Sequence, residues 1–346
     1  MPGGSILLLV PDQPPLSVLL PVLNEADAID GCLASLADQD YPGRWSLVVA
    51  DGGSTDGTRR RLEAWRSRLP ELIVMDNPLR LQSHGLNRAA EAARGEILVR
   101  VDAHTTYHPD YLSRSVEGLL STGAVAVGGA LRPEGTTGFG RAVAAAMGSP
   151  LAIGPGTFHH TGRRREADTV YLGTFRKDDF MAIGGYRAFP SGVAEDADLF
   201  FRWRRAHRTV LFDPDLRSVY RPRETARTLA RQFWRYGLGK ADMLYVNGRW
   251  PSWRPLAPLA LVTGLLVTAG LAVAGRFKSW FWLLLGAWLV AIFSEGVRIA
   301  RSPLALTRTV LAIAIMHLAY GAGLLAGLLR SPGRVRRAVV HLPPEA

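Results

Sequence analysis

Three stretches of the chain set carboxylates where they could do chemistry. In "VVADGGSTDGT", residues 48–58, an apolar run ends at Asp51 and is broken by Gly52 and Gly53. Asp51 thus falls at the carboxyl end of a buried strand, where open α/β sheets bind ligands. Ser54, Thr55 and Asp56 can cap the helix that follows, so the same residues also fit an ordinary βα turn. In "VRVDAHTTYHPDY", Asp102 and His104 stand two apart just past another strand. A carboxylate and an imidazole at that spacing suit Mg²⁺ or Mn²⁺ bridging a diphosphate, although an Asp and a His can equally decorate a loop. In "PSGVAEDADLFFRWRRAH", Glu195 and Asp196 open a helix whose Leu199, Phe200 and Trp203 would bury one face and hold the acids rigidly. A fixed carboxylate is what general-base catalysis requires; early acids also simply favour a helix N-terminus.

The elements that must carry these residues alternate. "LSVLLPVLN", "WSLVVA", "ELIVMD", "EILVRVD" and "AVAVGGA" read as strands. Between them "EADAIDGCLASLADQD", "DGTRRRLEAWRSRL", "QSHGLNRAAEAAR" and "PDYLSRSVEGLLSTG" read as helices. Repeated βα units predict an α/β fold with a mostly parallel, Rossmann-like sheet, right-handed crossovers and a site at the strand carboxyl ends.

Composition adds a second region. Of 346 residues 48% are hydrophobic, and the excess lies after residue 255, in segments 255–275, 279–293 and 310–329. The first and third are long enough to cross a bilayer, and the second is if it runs on toward Val297, so two or three spans are expected. "SILLLV" near the start has six residues and no basic flank, and is expected to be neither signal peptide nor anchor. One cysteine, Cys32, excludes a disulfide framework and a thiolate metal site, and fits a reducing, cytosolic setting. The net charge of +11 is almost wholly arginine, since Lys177, Lys240 and Lys278 are the only lysines. Arginine suits phosphate and carboxylate recognition, and a compositionally biased genome would supply it too.

Taken in order, "LPVLNE", "VVADGGSTDGT", "RVDAH", "YLGTFRKDDFMAIGGY", "AEDADLFFR" and "RQFWRYG" resemble the family 2 inverting glycosyltransferases of GT-A fold. The closest likeness is to the membrane-attached branch typified by the succinoglycan glucosyltransferase, and it covers roughly residues 16–245. The resemblance implies that Pro21, Asn24 and Glu25 line the nucleotide pocket and that Asp51 hydrogen-bonds the nucleobase, usually uracil. It implies that Asp102 and His104 occupy the D-x-D position that holds a divalent metal, Mn²⁺ or Mg²⁺, and the donor diphosphate; the second acid is histidine here. Asp196 would be the catalytic base, with Glu195 beside it shaping the acceptor site. Gln232 and Arg235 match Q-x-x-R-W, with Tyr236 in place of tryptophan.

The implied activity is transfer of a sugar from a nucleoside diphosphate sugar, a UDP-hexose, to a lipid-linked or polysaccharide-precursor acceptor with a β linkage. A processive polysaccharide synthase and a non-catalytic nucleotide-binding membrane scaffold are the alternatives. The first would need more spans to build a channel, and the second does not need the intact set Asp51, Asp102 and Asp196. The expected organisation is a catalytic domain over 1–220, an amphipathic interfacial helix region over 221–254, spans over 255–330 and a basic tail over 331–346. Arg223, Arg227, Arg231 and Arg235 recur every four residues as one basic stripe, of which Arg223 and Arg227 are expected to meet an anionic leaflet, while Gln232 and Arg235 are expected to serve the acceptor or donor phosphates. "IGPGTFHHTGRRREADTV" reads as a surface loop or as a lid in which His159, His160 and Arg163 to Arg165 close over phosphates. The expected setting is the cytoplasmic (inner) membrane with the catalytic domain in the cytosol, and no nucleic-acid partner. Three spans would place the tail outside, whereas two crossings plus an interfacial or re-entrant segment would keep it in.

Overall fold

The structure, a computed structural model, describes residues 13–154, 162–250 and 252–339. "SILLLV", His159 and His160 lie outside the described residues.

The apolar runs form strands because each is buried on both faces of one sheet. In chain order they are β1 (Leu16–Val22), β2 (Trp45–Asp51), β3 (Leu72–Asp76), β4 (Ile97–Arg100), β5 (Thr105–Tyr107), β6 (Ala126–Gly129), β7 (Arg132–Pro133), β8 (Arg165–Glu166), β9 (Tyr171–Arg176), β10 (Val210–Phe212) and β11 (Ser218–Tyr220). The helices of the same region are α1 (Ile29–Ala37), α2 (Thr58–Ala64), α3 (Gln82–Ala92), α4 (Tyr111–Thr122), α5 (Gly138–Met147), α6 (Pro150–Ile153), α7 (Lys177–Ala182) and α8 (Glu195–Arg205).

Strand order in the main sheet is β3-β2-β1-β4-β9-β6-β10-β8. β3, β2, β1 and β4 are parallel, with Leu16 opposite Trp45 on one side and Ile97 on the other. Strand order reverses between β1 and β4, the position at which helices leave to opposite faces and a crevice opens. β9 runs antiparallel between β4 and β6, pairing Gly173 with Arg100, so the sheet is mixed rather than wholly parallel. β5, β11 and β7 make a second small sheet, with Tyr220 opposite Thr105. Apolar side chains of α1 and α4, including Ile29, Leu33, Leu112 and Val116, fill one face of the main sheet. Those of α3, α7 and α8, including Leu86, Phe180, Leu199 and Trp203, fill the other.

Beyond the sheet lie α9 (Ala226–Asn247), α10 (Leu256–Val273), α11 (Lys278–Ile299), α12 (Pro303–Leu328) and α13 (Pro332–Ala338). α10, α11 and α12 are each long and apolar enough to cross a membrane. α9 packs along α12 through small residues. A Cβ on Gly237 would sit 2.2 Å from the Tyr320 carbonyl oxygen, and one on Gly323 would sit 2.2 Å from that of Trp234, so the two backbones touch. Small-residue contacts of this kind let helices approach without intervening side chains. α5 and α6 also leave the sheet, burying Val143, Ala146 and Ala152 with Ile313 and Met316 of α12. The expected boundary at residue 220 therefore does not separate two independent packing units.

Candidate active site

The loops after β1 and β2 are tied by hydrogen bonds that their own sequences dictate. Asn24 takes a left-handed conformation, φ 57°, which asparagine tolerates better than most residues. Its N–H donates to Ser54 Oγ at 2.9 Å, and its Oδ1 accepts from the Thr55 N–H at 2.8 Å. The Glu25 and Ala26 N–H groups donate to Thr58 Oγ1 and Asp56 Oδ2. Asp51 is 1% exposed; its Oδ1 accepts from the Ser54 N–H and Oγ at 3.0 and 2.6 Å. Its Oδ2 has only the Arg59 Nε at 3.9 Å nearby, which leaves an acceptor at the strand end. Pro21 pairs with Ala50 one step inside this edge.

Across the switch point, β4 leads into Asp102 and His104. The His104 N–H donates to Asp102 Oδ1 at 2.9 Å, and His104 Nε2 lies 3.1 Å from Glu25 Oε2. Burial, reinforced by the Asp102 charge against the opposing pull of His104, pushes the Glu25 carboxyl up to about 7. Burial also works against the charges of Asp102 and His104, but their mutual hydrogen bond prevails, holding Asp102 below its ordinary range and His104 above it. Glu25, His104 and Asp102 thus form a chain of close polar contacts. Among the described residues no three His, Cys, Asp or Glu side chains converge on a single metal position. Among the described residues Asp102 Oδ2 has no hydrogen-bond partner, the contacts of the carboxylate being through Oδ1.

The small sheet forms the rim of the crevice. The Arg221 N–H donates to the His104 carbonyl at 2.9 Å, continuing the Tyr220–Thr105 register. Arg223 is therefore brought over Glu25 and His104, where its charge acts on both. It precedes α9, so it is not part of the basic stripe in which the sequence placed it; the stripe begins at Arg227. Gln232 Nε2 donates to the hydroxyls of Tyr220 at 3.3 Å and Tyr236 at 3.0 Å. That brings Gln232 to the rim.

The base side is built from distant parts of the chain. Glu195 is buried and its Oε1 accepts from Arg100 Nη2 at 2.9 Å, both side chains being 7% exposed. Glu195 is thus engaged with Arg100 in the interior, next to Asp196 in the first turn of α8. Asp196, next along, is half-buried, and its charge is felt by Lys240 and Tyr236 of α9. Ala194 before it has φ 76°, a left-handed conformation that costs a non-glycine residue energy and must be imposed from outside. α9 imposes it. Arg235 Nε and Nη2 donate to the Ser191 and Gly192 carbonyls at 3.2 and 3.1 Å. Buried Asp242 accepts from the Ser191 N–H at 3.0 Å, and a Cβ on Gly239 would meet Val193 and Ala194 at 2.8 and 3.0 Å. Arg235, expected at the donor phosphates, is thus engaged with the loop that carries Asp196. Of the arginines expected in a lid, Arg164 pairs with Asp213 at 2.6 Å and Arg165 lies over the Phe212 ring.

The sequence reading did not single out Arg100 or Asp242, and it gave Arg223 to the basic stripe. Arg100 had a signal: a lone cation inside the apolar strand "EILVRVD", where a buried charge demands a partner. Arg223 and Asp242 had none, because their partners are set by how α9 docks.

Comparisons with known proteins bear on the family and the fold. The family described as "Glycosyl transferase family 2" matches residues 17–189. The chain is 36% identical to the succinoglycan biosynthesis protein ExoA of Rhizobium meliloti over 326 residues, covering 92% of this chain and 96% of that protein. It is 32% identical over 237 residues to the glycosyltransferase AglE of Haloferax volcanii, covering 66% of this chain and 74% of that one. Among solved structures, the mannosyltransferase PcManGT of Pyrobaculum calidifontis, in complex with GDP-Man and Mn²⁺, matches with a TM-score of 0.59 and 21% identity, covering 92% of this chain and 88% of that chain. The fold is the expected GT-A arrangement followed by apolar helices. On the family match and the near full-length likeness together, the chain belongs to glycosyl transferase family 2.

Proposed function

We propose that the protein is an inverting hexosyltransferase that moves a sugar from a UDP-hexose to a lipid-linked saccharide acceptor at a membrane surface, forming a β linkage. The observation that carries this reading is the Arg100–Glu195 ion pair. It ties β4, the strand that leads into Asp102, to the first turn of α8, the helix that carries Asp196, and this link supports reading the two carboxylates as parts of one site.

In this reading the nucleobase hydrogen-bonds the unsatisfied Oδ2 of Asp51, against Pro21 and Asn24. Asp102, with its unengaged Oδ2, and His104 hold a divalent cation, Mn²⁺ or Mg²⁺. Two protein ligands suffice where diphosphate oxygens complete the sphere. Glu25, 3.1 Å from His104 Nε2, would be the group placed to take up an imidazole proton displaced by ligation. When bound, the cation stabilises negative charge on the departing diphosphate. Arg223 adds a fixed positive charge over the same place.

Asp196 removes the proton from the acceptor hydroxyl as that oxygen attacks the anomeric carbon on the face opposite the diphosphate. The acceptor side also has Lys240. Burial lowers its ammonium below the ordinary range, its nearest polar contact is Met243 Sδ at 3.7 Å, and no carboxylate lies within 4 Å among the described residues. A cation without a partner beside Asp196 suits the phosphate of a lipid-linked acceptor. Support from relatives is of the same kind: one, from Methanococcus voltae, 22% identical over 331 residues, is a dolichyl N-acetyl-glucosaminyl phosphate glycosyltransferase by name.

The test is a panel of nucleotide sugars incubated with purified protein, with and without Mn²⁺ and Mg²⁺. UDP release from one UDP-hexose, dependent on the cation and absent in Asp102→Ala, is expected. Release from GDP-sugars alone, or equal release in EDTA, would overturn the donor or the metal assignment.

A further inference from the structure

The three C-terminal helices are alike in composition and unlike in surroundings. α10, α11 and α12 have mean hydropathies of 2.2, 1.6 and 1.9, yet the apolar windows of α10 and α11 are 6% and 11% buried against 39% for α12. From residue 263 to 291 no side chain is buried. In that stretch α10 and α11 lie against each other, with Gly264 under Leu284, as an antiparallel hairpin. Their buried contacts with the rest of the protein come at its open end. There Val262 packs on Gly321, Ile292 joins the α5–α12 cluster, Glu295 bonds Ser149, and Gly296 meets Leu306 and Val310.

α12 instead touches the catalytic domain from one end to the other. Arg308 lies against Gly138 of α5, His317 Nε2 is 2.9 Å from the Leu151 carbonyl, and the Leu328 carbonyl accepts from the Tyr245 hydroxyl at 2.5 Å. α9 runs beside it in the same direction, with Leu229 and Phe233 near Ile313 and Met316, and Ala241 against Gly327. α9 carries Arg227, Arg231, Arg235, Lys240 and Asp242. Charged side chains at a bilayer centre are costly, so a helix clad in five of them cannot sit in hydrocarbon. The chain then stays with the catalytic domain. Arg336 Nε donates to the Tyr245 carbonyl at 2.7 Å, and Val339 packs with Phe189, Phe201 and Met243.

The hairpin has the dimensions of a span. Its 18-residue first arm is about 27 Å long at 1.5 Å per residue, against a hydrocarbon core of about 30 Å. Aromatic residues mark both ends: Trp250 and Trp253 at the open end, Phe277, Trp280 and Trp282 at the tip. Such belts sit at the two membrane–water interfaces, and the open end is the richer in arginine, with Arg249, Arg254, Arg298 and Arg301 against Arg276 and Lys278 at the tip.

We propose that α10 and α11 are the two membrane crossings, that a lipid bilayer covers their exposed faces, and that α12 lies along the membrane surface as the layer joining hairpin to catalytic domain. The tail at 330–339 is then on the catalytic side, and residues 274–278 are on the other. Of the two topologies open to the sequence, this one keeps the basic tail beside the catalytic domain. It also sets the Asp196 loop, clamped by α9, at the surface from which a lipid-linked acceptor would rise.

The experiment uses full-length protein in sealed vesicles of both orientations, with a membrane-impermeant maleimide. Cys32 is buried and serves as a silent background. Single cysteines are placed by Arg94→Cys in the catalytic domain, Arg276→Cys at the hairpin tip and Arg334→Cys in the tail, all at exposed positions. Arg94→Cys and Arg334→Cys should react from one face and Arg276→Cys from the opposite face. Reaction of Arg334→Cys together with Arg276→Cys would mean that α12 crosses as well. Reaction of all three from one face would mean that the hairpin does not cross, and release of the protein by alkaline carbonate that no bilayer covers it. Each of these three results overturns the proposal. None depends on turnover, so the topology stands or falls apart from the donor assignment.

Discussion

On the donor side of the crevice, Asn24, Asp51, Ser54, Thr55, Asp56 and Thr58 hold one another within two neighbouring loops. On the base side, the backbone of Ser191 and Gly192 is held by side chains 43 to 51 residues further along, on α9. α9 in turn rests on α12, which the chain does not reach until residue 303. The loops around Asp51 are thus held by their own turn chemistry, whereas the Ser191–Gly192 backbone ahead of Asp196, the proposed base, is held by α9 and so depends on how α9 docks on α12. Damage to the two sides should therefore separate donor binding from turnover.

Four substitutions sharpen or break that contrast. The largest effect is expected for Asp196→Asn, which keeps shape and removes basicity. Transfer should fall by about 10²–10⁴ while UDP-sugar binding by calorimetry is unchanged, and near-normal turnover would remove Asp196 from the mechanism. Asp51→Ala should do the reverse, raising the donor KM by about 10- to 100-fold, the scale of one lost charged hydrogen bond, with kcat held within a few-fold. A fall in kcat without a rise in donor KM would argue against contact with the nucleobase.

Arg235→Ala comes next. It removes both donors to the Ser191 and Gly192 carbonyls, so kcat should drop by about 10-fold with donor affinity intact, because each neutral-acceptor bond to a charged group is worth about 1.5–3 kcal/mol in full and only part of that reaches the base. Loss of UDP affinity in this variant would return Arg235 to the diphosphate and dissolve the contrast between the sides. Gly323→Leu tests the same link from further away. Its side chain meets the Trp234 backbone, overpacking costs about 1–3 kcal/mol, and the shift should lower kcat several-fold and reduce thermal stability, again sparing UDP binding. If Gly323→Leu lowers stability and leaves kcat untouched, α12 supports the fold without positioning the base.

The donor half was legible from the sequence because its signals are local. Strand ends at Asp51 and Asp102 follow from short apolar runs broken by Gly52 and Gly53 or by Ala103–His104, and the cap residues Ser54 to Thr58 act within a few positions of themselves. β9 was not legible as the antiparallel strand between β4 and β6. Its pattern reads as any strand, and its neighbours are chosen by pairing across more than 40 residues to β6 and more than 70 to β4.

The amino-acid order alone determined the family, the alternation that builds a sheet edge, the three carboxylate sites and the presence of apolar helices long enough to span a bilayer. Periodicity, turn residues and run length are properties of neighbouring positions, so a linear reading contains them. Only the tertiary structure decided that Glu195 turns inward to Arg100, that Arg223 stands over His104 rather than on a lipid-facing stripe, and that Arg235 holds the base loop. It also separated α12 from α10 and α11, helices that composition cannot tell apart. A charged or apolar side chain takes its role from what packs against it, and that is set by contacts between residues far apart in the chain.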